Sequence, residues 1–200
     1  MSQLLLETIK IQDGVIHLPE YHQHRMSKTI HDLWGTRESN FLVSEIFIPE
    51  KARIGLWKCR VVYSPQVVDI SFEPYMYKNI HSLQCVYVND FSYAYKFADR
   101  TAFKQLLLQK NQADEILIIK NGLVTDTSYS NIVFFDGDTW YTPSSYLLPG
   151  TMREYLIETH QIYEKNIQIA DISSFKKARL LNAFNDLQNG CEITCDNISQ

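Results

Sequence analysis

The sequence predicts an α+β chain arranged as two lobes, a small one over residues 1–95 and a larger one over residues 96–200. Strand-like runs rich in Val, Ile, Tyr and Phe are interleaved with separate helix-like stretches, which is the pattern of that class. The composition then changes after Arg100, where a fresh set of elements begins. With 200 residues, 45% hydrophobic and 21% charged, the chain can bury a sizeable core, which excludes disorder and fibres.

Leu4 to Ile11 alternates loosely, Asp13-Gly14 is a turn pair, and Val15 to Leu18 resumes, so the chain opens with a β-hairpin. Pro19 suits a first helical turn, and Tyr21, Met26, Ile30 and Leu33 recur at helical intervals up to Trp34, before Gly35. Phe41 to Ile48 is expected to form a shorter helix, although its apolar content also suits a strand. Arg53–Tyr63, Val67–Phe72 and Ser82–Asn89 read as three antiparallel strands, broken near Ser64-Pro65 and Pro74. In the second lobe, Thr101–Lys110 is predicted helical and Glu115–Lys120 a buried strand. Ile132–Phe135 and Thr139–Tyr141 bracket an Asp136-Gly137-Asp138 turn, Thr151–His160 reads as a helix entered from Pro149-Gly150, and Ser173–Phe184 as a later helix. The tail is weakly patterned, and no internal repeat is visible.

The charge sum narrows the function classes. Nineteen basic against 23 acidic residues give a net charge of −4, so no electrostatic footprint for nucleic acid or an anionic membrane is present in the total. Seven glycines are scattered, the nearest pair being Gly137 and Gly150, and neither a dinucleotide fingerprint nor a P-loop can be assembled from them. Residues 1–7 lack a basic export region, and no apolar run approaches a membrane span. Cys59, Cys85, Cys191 and Cys195 form no CxxC pair and read as reduced thiols, so a cytoplasmic location is expected.

Several residues can carry chemistry. Lys96 sits between aromatics in Tyr93-Ala94-Tyr95-Lys96-Phe97, where partial desolvation lowers a lysine pKa toward that of a neutral-pH nucleophile; a solvated strand-end lysine is the simpler alternative. Arg25 follows His22 by one helical turn and can present a fork to phosphate or carboxylate, or stand on a solvated face. His22 and His24 differ by two and make no paired metal site, so no metal is assigned. The segment Asn121 to Asn131 is polar for most of its length although it lies between apolar strands, which suits either a cofactor or a surface turn. Gly150 precedes a helix start, whose unsatisfied N–H groups favour an anion.

In this order these segments resemble the class IV aminotransferase family, the fold-type IV pyridoxal-phosphate enzymes. That family includes branched-chain and D-amino-acid aminotransferases and 4-amino-4-deoxychorismate lyase. The match runs from Leu6-Glu7-Thr8-Ile9 (F-E-T-I in the family) through His22 to Met26 (H-x-x-R-[LM]) and Lys96. It continues over Gly122 to Asn131 (G-x-V-T-[ED]-x-S-x-x-N), Tyr141-Thr142-Pro143 and Leu148 to Arg153 (L-x-G-[IT]-x-R). The resemblance implies a two-lobed fold like D-amino-acid aminotransferase, with a truncated small lobe, because the chain starts almost at the F-E-T-I strand. It implies pyridoxal 5'-phosphate as cofactor, with Lys96 as the Schiff-base lysine and proton shuttle. Arg25, Gly150, Thr151 and Met152 would hold the phosphate. Asp126, in place of the usual glutamate, would face the ring nitrogen, and Asn131 and Ser128 would order the loop.

The family reading leads to an aminotransferase moving an amino group between an amino acid and a 2-oxo acid. The first alternative is aminodeoxychorismate lyase, releasing pyruvate and 4-aminobenzoate, and the second a non-catalytic cofactor-binding or interaction protein with a degenerate pocket. Arg60 is a candidate for the substrate carboxylate, with a strand-face structural role as its alternative. Thr101 stands in the region where some aminotransferases place a tyrosine for the ring hydroxyl. A homodimer is implied by the family alone, and no nucleic-acid or membrane partner is expected.

Overall fold

The computed structural model describes residues 3–35 and 41–200. The chain divides into two compact units, one of Met1–Tyr77 with Tyr95–Asp99 and one of Lys78–Ala94 with Arg100–Gln200. It passes between them three times rather than dividing once after residue 95, and the segment bearing Lys96 groups with the N-terminal unit.

In that unit, β1 (Leu5–Gln12) and β2 (Val15–Ile16) form the expected hairpin. Asp13 and Gly14 both adopt positive φ, 49° and 78°, which gives a two-residue turn the twist its strands require. Helix α1 (Pro19–Trp34) begins with Pro19 and ends at Gly35, whose left-handed φ of 69° lets its N–H bond His31 O. Strands β3 (Leu56–Ser64) and β4 (Gln66–Pro74) complete an antiparallel sheet in the order β2-β1-β3-β4. The N-terminal half of β1 is edged by the segment around Lys96. Leu6 N donates to Lys96 O and Ala98 N to Leu4 O, both at 2.9 Å, about an antiparallel bridge of Leu5 with Phe97.

Phe41 to Ile48 forms no α-helix, only one 3-10 turn over Val43–Glu45. Its inward residues Phe41, Val43, Ile46 and Ile48 fall two or three apart, Val43 and Ile46 pack on β1 and β3, and Pro49 biases the residue before it toward extended backbone. The run Ser82–Asn89 is a strand, but not a third antiparallel neighbour of β3 and β4. As β5 (Leu83–Val88) it belongs to the second unit and pairs in parallel with β6 (Glu115–Lys120), because Leu83, Cys85 and Val86 are all buried, as in a strand covered on both faces.

The second unit contains α2 (Thr101–Leu107), β7 (Leu123–Thr127), β8 (Asn131–Phe135), β9 (Trp140–Pro143), α3 (Thr151–Glu158) and β10 (Tyr163–Lys165). They are followed by β11 (Lys177–Leu181), β12 (Glu192–Thr194) and β13 (Ile198–Ser199). Its two sheets run β13-β5-β6-β7 and β10-β9-β8-β11-β12. Ile119, Val124, Ile132, Phe134 and Leu180 meet in one apolar core. The later helix expected over Ser173–Phe184 is replaced by the end of a 3-10 segment, Ile169–Ser174, and strand β11. Lys-Ala-Arg-Leu-Leu is a good helical composition, yet Ala178 and Leu180 are fully buried between β8 and β12, and that packing overrides propensity. Among the described residues no helix is long and apolar enough to cross a membrane.

Candidate active site

Alternation along β1 sends Leu5, Glu7, Ile9 and Ile11 to one fully buried face. Helix α1 turns His22, Arg25, Met26, Thr29 and Ile30 inward as a single stripe. A carboxylate thus meets an imidazole and a guanidinium inside the N-terminal unit. Arg25 Nε donates to Glu7 Oε1 at 2.9 Å, Arg25 Nη2 to Glu7 Oε2 at 2.5 Å, and His22 Nδ1 lies 2.7 Å from Oε2. Burial pushes the Glu7 carboxyl up, but the Arg25 charge and the hydrogen bonds from His22 and Arg25 outweigh it and hold it at about 2. Glu7 is therefore ionised and only accepts, so the proton it shares with His22 sits on Nδ1. Burial also pushes His22 below the usual imidazole range, opposed by Glu7 and assisted by the charges of Arg25 and Lys96. Its Nε2 is consequently a bare acceptor, buried and without a hydrogen-bond partner.

Lys96 stands opposite Leu6 in the ladder on β1, one residue from Glu7. Arg60 lies on β3 in register with Thr8 on β1 and Ser71 on β4, half-buried on the sheet. Arg25, Lys96 and Arg60 are thus held by one sheet and the helix packed on it.

The other family-matched residues belong to the second unit. Asp126, on β7, is buried, and both of its oxygens are engaged. Oδ1 accepts from Asn131 Nδ2 at 2.8 Å, and Oδ2 from the Leu147 and Leu148 N–H groups at 2.9 and 3.0 Å. Burial nevertheless pushes its carboxyl up to about 6, against the lowering effect of these donors and of Arg153. Asn131 Nδ2 also donates to Leu148 O at 3.0 Å, so the pair fixes the backbone that leads into α3.

Between them, Thr127 N donates to Ser130 O at 2.9 Å and closes the β7–β8 turn. Ser128 Oγ donates to buried Glu115 at 2.9 Å, while Arg100 donates to the Ser128 carbonyl from a position 3.9 Å over the Phe103 ring. The loop-ordering role expected of Ser128 and Asn131 matches these bonds.

Helix α3 starts at Gly150, and no side chain caps it. Thr151 and Met152 form its buried first turn, where N–H groups lack intrahelical acceptors. A Cβ on Gly150 would collide with Asn131 Oδ1, so glycine is what lets the Asp126–Asn131 pair stand against the helix start. Sequence reasoning did not single out Arg153 as functional. Its guanidinium is buried, donating to Pro143 O at 3.2 Å and Glu164 Oε1 at 2.5 Å, and it ties α3 to β9 and β10. Glu7 and His22 were also missed as a pair. The signal was a glutamate at a buried position of an alternating strand, with His22 and Arg25 on one helical face.

These features fit pyridoxal phosphate. The N-terminal unit offers an orphaned buried imidazole nitrogen one helical turn from Arg25, and the second offers an uncapped helix start behind a glycine that tolerates no side chain. The α+β architecture, with this distribution of residues, defines a short fold-type IV chain.

Residues 66–193 match the family model of amino-transferase class IV, and the chain belongs to that family, whose members are pyridoxal-phosphate-dependent enzymes. It is 36% identical over 185 residues to an uncharacterized protein of Haemophilus influenzae, covering 92% of this chain and 98% of that one. A crystal structure from Haemophilus somnus 129PT, of a protein provisionally named a 4-amino-4-deoxychorismate lyase, is 32% identical with a TM-score of 0.82. The match covers 94% of this chain and 99% of that one. The Escherichia coli branched-chain amino acid aminotransferase shares the fold at 12% identity, TM-score 0.73, over 96% of this chain and 76% of that one.

Proposed function

We propose that the chain is a pyridoxal-phosphate-dependent enzyme acting on an amino-carboxylate substrate, and that pyruvate-releasing cleavage of aminodeoxychorismate is favoured over transamination. The observation that carries the cofactor reading is the buried Glu7–His22–Arg25 cluster, whose imidazole keeps a partnerless nitrogen one helical turn from Arg25, in the same unit that holds Lys96 in a ladder with β1. The preference for cleavage rests on the 32% identical relative of nearly equal length that bears the lyase name. Aminotransferases, the first expectation from sequence, stand among the more distant neighbours.

When bound, the cofactor supplies an electron sink for bonds broken at the substrate carbon beside nitrogen. Lys96 Nζ anchors the cofactor and moves the proton at that carbon. Arg25 in the N-terminal unit and the first-turn N–H groups at Thr151 and Met152 in the second are each suited to an anionic group such as the cofactor's phosphate. Asp126 places negative charge at the ring nitrogen, while Asn131 and the Leu147 and Leu148 amides hold its carboxylate in place. Arg60 receives the substrate carboxylate.

The two reactions differ in stoichiometry. Cleavage releases pyruvate from aminodeoxychorismate alone over many turnovers, whereas transamination consumes no more than one equivalent of amino donor per enzyme unless a 2-oxo acid is present. Pyruvate release without added 2-oxo acid supports the proposal, and acceptor-dependent turnover of an amino donor would replace it by transamination. A cofactor-loaded protein silent in both assays would favour a binding role.

A further inference from the structure

The Glu7–His22–Arg25 cluster is electrically balanced as it stands. Glu7 contributes one negative charge, which Arg25 cancels through two hydrogen bonds, and His22 is neutral with its proton on Nδ1. A phosphate held by Arg25 thus meets a guanidinium whose charge is already matched. A dianion beside a neutral buried cluster carries a large desolvation cost.

Within the cluster, one atom can supply further positive charge. His22 Nε2 is a buried nitrogen without a hydrogen-bond partner, on the same helical face as Arg25 and one turn away. Unsatisfied buried polar atoms are rare in folded proteins and call for a ligand or another specific cause. Unprotonated, Nε2 offers nothing to a phosphate oxygen. Protonated, it becomes a charge-assisted donor, and the imidazolium stays bonded to Glu7 through Nδ1.

We infer that His22 takes up one proton at Nε2 when a phosphate-bearing ligand binds at Arg25, so that the Glu7–His22 pair acts as a proton-coupled phosphate receptor. This rests on the cofactor reading above. The proton comes from the solvent buffer: an Nε2–H bond forms, the buffer acid loses its proton, and no electron is transferred. The charged and titratable groups facing this cluster are Glu7 from β1, Arg25 from α1, Lys96 from the segment edging β1, and Tyr63 from β3. Glu7 favours the imidazolium, and Arg25 and Lys96 oppose it. An arriving anion weakens that opposition.

Isothermal titration calorimetry of the full chain tests the inference, with pyridoxine 5'-phosphate as ligand because it has no aldehyde to react with Lys96. The titration is run in buffers of different ionisation enthalpy, above the phosphate's own second pKa of about 6. Uptake of about one proton per ligand, with affinity falling about tenfold per pH unit, is expected. In His22→Gln, whose side-chain amide can still donate to Glu7 but cannot titrate, the uptake disappears. In the wild-type protein, imidazole nitrogen spectra show His22 passing from the Nδ1–H tautomer to the doubly protonated form on binding, a readout independent of any variant. Phosphate-dependent binding with no proton uptake would overturn the inference and leave the cofactor reading intact. Equal binding of pyridoxine with and without its phosphate would overturn both.

Discussion

Arg25 grips Glu7 side-on, its Nε and Nη2 each donating to a different carboxylate oxygen, 2.9 and 2.5 Å away, inside a unit where Glu7 has no solvent exposure. A two-point contact of this kind fixes the plane of both groups. It also makes each partner depend on the other. Glu7→Gln removes the charge and one acceptor while Arg25 stays buried, an imbalance that costs on the order of 3–5 kcal/mol. Urea denaturation of the variant checks this, and a loss below about 1 kcal/mol would show that the pair is not a structural keystone.

Two of the buried carboxylates, Glu7 and Asp126, respond to acid in opposite directions. Glu7 is held at about 2 in the fold, below its ordinary 4.5, so its contribution is present above 4.5 and is lost as pH falls toward 2. Asp126 is raised from 3.8 to about 6, so its ionisation opposes folding and stability falls as pH rises across that window. Between about pH 4 and 6, wild-type stability should therefore decline relative to Asp126→Asn, by up to about 3 kcal/mol from the size of the shift. Paired denaturation curves at several pH values measure this difference, and a constant difference contradicts it.

Gly150→Ala tests the helix start. The φ of Gly150 is −77°, ordinary for alanine, so the effect expected comes from the new methyl meeting Asn131 Oδ1. Cofactor affinity should fall at least about tenfold. Combining the change with Asn131→Ala, which removes the opposing atom, should recover part of the loss. Additive losses in the double variant would mean that the two residues are not in contact.

Much of the N-terminal unit could be read from its residues because local signals agreed there. Asp13-Gly14 marked the hairpin, and Pro19 and Gly35 marked both ends of α1. The polar segment ending in Asp126 and Asn131 was recognisable because it broke an apolar run, and the bonds found there explain its polarity. Other features depended on contacts between residues distant in sequence. Lys-Ala-Arg-Leu-Leu became β11 only because β8 and β12 flank it. Residues 83–88 were recognisable as a strand, but their parallel partner lies about thirty residues further on, with α2 between. The His22–Glu7 bond joins residues 15 apart, and no helical or strand periodicity reaches that far.

The central claim is that Lys96 carries the cofactor, and the direct measurement is borohydride fixation of the protein loaded with pyridoxal phosphate, followed by peptide mapping. A single modified lysine at position 96, with the visible absorption band absent from a folded Lys96→Ala variant, is the predicted result. Modification scattered over exposed lysines, or an unchanged band in Lys96→Ala, would contradict it.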